Sequence, residues 1–266
     1  MWRKLLLTSL LVVFAQERPT FEVASIKEKQ FVPGLVGVDF QPGGRVVATQ
    51  APLPMLIWAA YDILPTQLEF GSDVPTATLQ TFYDIEAKPE ANAIPPGRLS
   101  RENLRKVELM VQSLLADRFK LKIHMDKKEL PIYALVVDKG GLKLPTAPER
   151  DCEVRPSPCR FSQIGPSSGV IGQSVTLESL ADNLTGFYGD RRSIVNKTGI
   201  EGRFDIKLPP FSRGAVTPGT LIDGVPVDLN TPSLAAILKD VGLRLEPQKQ
   251  MMDVYIVDHV EKPSSN

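Results

Sequence analysis

Apolar and polar positions along the chain follow one pattern twice. Leu53, Leu56, Ile57, Ala60 and Tyr61 stand at i, i+3, i+4, i+7 and i+8, which puts them on one face of a helix. Leu177, Leu180, Ala181 and Leu184 repeat that stripe behind Thr176, a residue suited to an N-cap. After each helix comes a strand-like run, 82–87 and 203–208, and then a connection rich in Pro and Gly. A second helix follows in both places. Ser100 caps one, with Leu104, Val107, Val111, Leu114 and Leu115 as its apolar face. Thr231-Pro232 opens the other, which carries Leu234, Ile237, Leu238 and Val241 and ends at Gly242. Beyond these helices the period drops to two in 119–124 and 243–246, a turn intervenes, and a last strand is predicted at 132–137 and 254–257. A strand also precedes each first helix, at 45–49 and 170–175.

The equivalent residues are Leu53 and Leu177, Asp84 and Asp205, Asp117 and Asp240, Tyr133 and Tyr255, at spacings of 124, 121, 123 and 122. A near-constant spacing over five elements reads as an internal duplication, against the plainer reading of two unrelated α+β stretches. The expected fold is α+β, in two similar halves, each with helices packed on one face of a largely antiparallel sheet. Its expected divisions are a signal peptide at 1–15, a first half at 16–138, a loop-rich linker at 139–168 and a second half at 169–266.

The signal peptide rests on the basic start Met1-Trp2-Arg3-Lys4 and a run at 5–14 that is apolar apart from Thr8 and Ser9. Val13 and Ala15 fit the small-x-small rule for cleavage after Ala15. The run is shorter than the roughly 20 residues that span a bilayer, so an uncleaved anchor or a buried N-terminal helix is the lesser reading. Cleavage leaves 29 basic and 31 acidic residues, a soluble exported protein with no transmembrane span. Over the whole sequence Lys+Arg and Asp+Glu are equal at 31, so no basic excess exists for binding nucleic acid. In an oxidising compartment Cys152 and Cys159, separated by a turn-rich spacer, are expected to form a local disulfide. With two Cys and two His in all, no metal site and no cofactor is expected.

Several blocks carry a family resemblance. The stretch from Leu114-Leu115-Ala116-Asp117-Arg118-Phe119 to His124, followed by Leu130-Pro131-Ile132-Tyr133, resembles the signature of a Solibacter-type exported domain of unknown function, found in acidobacteria. Tyr83-Asp84-Ile85-Glu86-Ala87-Lys88, the block from Asn196 to Asp205, and Val257-Asp258-His259-Val260-Glu261-Lys262-Pro263 are similar to further blocks of that family. Some of its members are fused to a membrane metallopeptidase of the beta-lactam-sensor type, which implies a sensing or docking role outside the cytoplasm. The resemblance implies no activity. The chain departs from it at Gly71-Ser72-Asp73-Val74-Pro75, where relatives carry a Pro-Asp-Trp-like turn.

The search for chemistry returns little. There is no His-Glu-x-x-His, Walker loop or dinucleotide fingerprint. Gly165-Pro166-Ser167-Ser168-Gly169 matches Gly-x-Ser-x-Gly, but a nucleophile elbow needs a strand before it and a helix after it, and Val170 onward reads as strand. If Ser167 were a nucleophile, His259 would be its base, oriented by Asp182, Asp205 or Asp258, in a secreted serine hydrolase. The favoured reading is a non-catalytic binding or interaction module outside the cytoplasm, its partner a protein or peptide of the cell envelope. Arg118, Lys120, Lys122 and His124 are the candidate contact residues, the last three expected on the polar face of one strand. Binding is expected at a sheet edge or in the groove between the halves.

Overall fold

A computed structural model describes residues 18–97, 99–150, 152, 158–185, 192–212, 221–222, 225–226 and 231–263. The expected signal peptide at 1–15 lies outside these. The chain is α+β, built as two similar halves, with helices on largely antiparallel sheets.

In the first half, β1 (Phe21–Lys29), β5 (Phe82–Pro89), β3 (Val46–Pro52) and β2 (Gly37–Phe40) lie in that order in an antiparallel sheet. Helices α1 (Leu53–Tyr61) and α3 (Arg101–Arg118) pack on it, and α2 (Thr76–Gln80) is a single turn. Ser100 caps α3 as expected, its hydroxyl accepting from Asn103 N at 3.2 Å. In the second half, β10 (Phe204–Leu208), β8 (Gly169–Val175) and β7 (Arg160–Gly165) form the sheet, covered by α4 (Leu177–Thr185) and α5 (Leu234–Asp240). Thr176 caps α4 reciprocally with Ser179: Ser179 N donates to the Thr176 hydroxyl and Thr176 N to the Ser179 hydroxyl, both at 3.1 Å. At α5 the cap is Ser233, which accepts from Ala236 N at 3.2 Å, so Thr231-Pro232 precede the helix rather than open it. A two-residue ladder, β11 (Leu221–Ile222) with β12 (Val225–Pro226), lies in the connection.

The duplication is visible in the register. Ala48 faces Ile85 and Ala51 faces Tyr83, leaving one extra residue on β3; Gly172 faces Ile206 and Val175 faces Phe204, leaving the same bulge on β8. The bulged Gln50 and Ser174 both take left-handed backbone, at φ 45° and 51°. Each gives its amide to the equivalent carboxylate, Gln50 N to Asp84 Oδ1 and Ser174 N to Asp205 Oδ1, at 2.9 Å in both cases. That hydrogen bond, with Lys29 beside it, holds the Asp84 carboxyl below the ordinary carboxylate range.

The late strands are also corrected. The two late strands of each half are one long strand, β6 (Lys122–Val137) and β13 (Leu243–His259), paired antiparallel along their length. Asp126-Lys127-Lys128-Glu129 and Gln248-Lys249-Gln250, polar enough to read as turns, are the middle of this ribbon, where polar side chains face water. Two short strands that lack any readable period complete the sheet. β4 (Leu68–Phe70) adds parallel to β13 through Leu68 and Tyr255, and β9 (Ser193–Asn196) adds parallel to β6 through Ile194 and Tyr133. Each half therefore lends a strand to the last strand of the other. Val257 and Val260, at the chain's end, are buried in the first core with Phe119, Tyr83 and Leu115, while Leu135 is buried in the second with Phe204, Leu180 and Leu238.

Candidate binding site

Helix α3 carries a row of side chains over which Arg18-Pro19 and Asp258, from the first and last described segments, gather. Leu109, Gln112, Ser113 and Ala116 of α3, Leu121 to Ile123 at the start of β6, Tyr61 at the end of α1, Asp258 and the entering segment Arg18-Pro19 line a hollow of about 510 Å³. Its polar wall is held in place. Gln112 Nε2 donates to the Ala60 carbonyl at 2.8 Å, and the Ser113 hydroxyl to the Leu109 carbonyl at 3.1 Å. Tyr61 packs its ring on Tyr255 with centroids 5.6 Å apart. Burial, with Tyr255 nearby, pushes the Tyr61 phenol above its ordinary pKa, so it stays a neutral hydrogen-bonding group.

Two neighbouring hollows extend the first. One of about 430 Å³ shares Arg18 and Ser113 with it and adds Thr20 and Asp117. The next, about 400 Å³, shares Thr20 and Asp117 and runs to Arg118 and the first residues of the edge strand β1. Together they form a trench between α3 and the N-terminal segment.

Of the four residues singled out from the sequence, Arg118 and Lys122 line this trench, whereas Lys120 and His124 line none of its hollows and instead touch Asp117 and Asp258, and the four do not form one strand face. Arg118 is the last residue of α3 and lines its far end. Lys120 is not on a strand: it takes left-handed backbone at φ 54° and donates its ammonium to the Asp117 carbonyl at 2.8 Å. It closes α3 as Gly242 closes α5. Lys122 opens β6 at the near end. His124 sets Nδ1 2.8 Å from Asp258 Oδ2, bracing the rim. Sequence reasoning missed Arg18, Tyr61, Gln112 and Ser113. The available signal was the polar Gln112-Ser113 pair inside the apolar stretch 109–115 of a helix.

The Ser167 constellation is not assembled. Ser167 is an exposed residue of the turn joining β7 to β8, so the strand-to-helix elbow is absent. His259 lies at the end of β13 opposite Lys122 and pairs Nε2 with Glu261 at 2.9 Å, while Asp258 is engaged by His124. Asp205 is spent on the Ser174 amide. Asp182, on α4, has its carboxyl pushed up to about 6 by burial, with Glu178 and Asp62 adding to it. Cys152 and Cys159 are disulfide-bonded, with Cα atoms 5.3 Å apart, and Cys152 Sγ lies 3.9 Å from Ser174 Oγ. No group of three His, Cys, Asp or Glu is placed to hold a metal among the described residues, and none of their helices is long and apolar enough to cross a membrane.

Residues 54–260 match the family model described as "Protein of unknown function (DUF3738)". The match covers most of the 266 residues, and the chain belongs to that family. No curated protein and no solved structure matches it.

Proposed function

We propose that the chain is a non-catalytic binding module working outside the cytoplasm, and that the trench over α3 takes an extended peptide segment of an envelope protein. One observation carries this reading. Arg18 and Lys122 stand over an apolar floor of Leu109, Ala116, Leu121 and Ile123, and neither has an ion pair among the described residues. Unpaired cations beside apolar surface suit a segment that offers an apolar side chain next to a carboxylate. The length of the trench suits an extended chain better than a compact metabolite. Export is supported by the basic start and apolar run at the N-terminus and by the disulfide. The resemblance to exported acidobacterial proteins, some joined to a sensor-type metallopeptidase, agrees with a docking role.

The test is selection of peptides from a displayed random library on the immobilised protein. Selected peptides should be enriched in acidic residues beside apolar ones. Their affinity should fall about tenfold with Lys122→Glu or Arg18→Glu, and fall further in salt. Ser167→Ala should leave it within about twofold, Ser167 lining none of the three hollows. Peptides indifferent to both charge reversals would refute the trench. Loss of a biological activity on Ser167→Ala alone, in a folded protein, would favour the hydrolase instead.

A further inference from the structure

A hollow of about 700 Å³ is walled by both halves and shares no lining residue with the trench. Asp62, Arg101, Arg105 and Glu108 come to it from the first half, and Arg203 from the second. Charges of both signs line it without neutralising one another. Glu108 of α3 is only 6% exposed, and a carboxylate so deep needs partners. Its Oε2 accepts from Arg105 Nη1 at 3.1 Å, whereas its Oε1 accepts from no group among the described residues. Asp62, just past α1, lines the same hollow, and its carboxylate has no ion pair or hydrogen bond among them. Burial pushes the Glu108 carboxyl above its ordinary range, and Asp62 adds to this against the Arg105 hydrogen bond. This pair of acids is short of a cation.

The cations are equally incomplete. Arg101, in the first turn of α3, has no ion pair or side-chain hydrogen bond among the described residues. Arg203 donates from Nη1 to the Ser174 carbonyl at 2.9 Å and has no carboxylate partner among them. A guanidinium presents its donors as a fork that grips a carboxylate through two oxygens.

We infer that this hollow binds a small zwitterion, a free α-amino acid or dipeptide, whose ammonium meets Glu108 and Asp62 and whose carboxylate meets Arg101 and Arg203. A simple anion leaves the two acids short of a cation, and a simple cation leaves the guanidiniums without an acceptor. A ligand that carries both charges at separate ends satisfies both sides. The volume suits a small molecule, and Leu99 and Leu104 give its side chain an apolar wall. Thr176 and Ser179, also in the lining, hold each other through the cap of α4, so that wall is fixed before any ligand arrives. The inference uses none of the trench residues and does not rest on the trench.

Isothermal titration of the whole protein with the common α-amino acids and with the dipeptide Leu-Leu tests it. At least one should bind. The N-acetyl form of the best binder, which lacks the ammonium, and its amide, which lacks the carboxylate, should each bind at least tenfold more weakly. Tighter binding of Leu-Leu than of leucine would support a dipeptide site, and the reverse a free amino acid site. Arg101→Gln removes no contact within the protein and should weaken binding about tenfold. Asp62→Asn keeps a residue that tolerates left-handed backbone and should do the same, as should Glu108→Gln. Lys249→Gln, on the long ribbon, should leave binding unchanged. No binding by any probe, equal binding of the capped forms, or native affinity in both Arg101→Gln and Asp62→Asn would each overturn the proposal. Displacement of the amino acid by inorganic phosphate, with Glu108→Gln and Asp62→Asn without effect, would make this a plain anion site and overturn it too.

Discussion

The two halves share a backbone and differ in what they hang on it. Both carry the same bulge, the same aspartate beneath it and the same lent strand. In both, the loop that follows the first sheet position is secured next to the bulged residue. The first half secures an uncharged, apolar loop with the Gln50 side chain. The second has Ser174 at that place, too short to reach, and beside it the disulfide Cys152–Cys159 closes a loop whose sequence holds Glu153 and Arg155 and is preceded by Glu149, Arg150 and Asp151. The difference teaches that the bulge and its carboxylate form the chassis, kept because a left-handed non-glycine residue needs its amide satisfied. The loops above them, free of core packing, are where the halves took on separate chemistry.

The strongest test of the equivalence uses the two residues that end the second helices. Gly242 has φ 80°, and a Cβ there would run into the Gly141 carbonyl, whereas Lys120 at the matching place has φ 54° with a side chain already accommodated. Gly242→Ala should cost about 4 kcal/mol, combining left-handed strain with overlap against backbone. Lys120→Gly should instead stabilise by up to about 1 kcal/mol, through relief of left-handed strain. Urea unfolding of both variants decides this, and effects of the same sign would break the comparison.

A smaller effect separates the loops. Cys152→Ser with Cys159→Ser should lower stability by about 2.5 kcal/mol, the scale set by a short closed loop. Hydrogen exchange should show lost protection at the Ser174–Val175 bulge, with the Gln50 bulge unaffected. Equal loss in both halves would mean that the disulfide stabilises the molecule globally, and the loops would not be separately held.

The smallest effect lies on the first helices, where Asp182 of α4 occupies the place that Trp58 holds in α1. The Asp182 carboxyl is pushed up to about 6, first by burial and then by Glu178 and Asp62. A raised carboxyl favours the native state only when protonated. Its contribution is complete below the ordinary value of about 3.9 and is lost as pH rises through about 6. Asp182→Asn should therefore stabilise the protein near neutral pH by about 1 kcal/mol, discounted for partial solvent screening, and should do nothing below about pH 4. Thermal unfolding across pH measures it, and a pH-independent effect would remove Asp182 from the account.

Much of this was legible in residue order. Stripes such as Leu177, Leu180, Ala181 and Leu184 report a helix because one face must leave water, and the caps Ser100 and Thr176 report the starts of theirs because orphan amides need an acceptor. The constant spacing of equivalent residues reported the duplication, and two close cysteines across a turn-rich spacer reported their bond. Local periodicity says nothing about partners distant in sequence. Only the tertiary structure decided that 122–137 and 243–259 run straight through their polar middles, since a ribbon with water on its faces accepts charges that otherwise signal a turn. It also decided that β4 and β9, too short to show a period, are exchanged between halves, and that Arg18, Tyr61, Gln112 and Asp258 meet beside Lys122. Those meetings depend on where whole elements pack, because side chains brought together from five separate segments leave no pattern in any one of them.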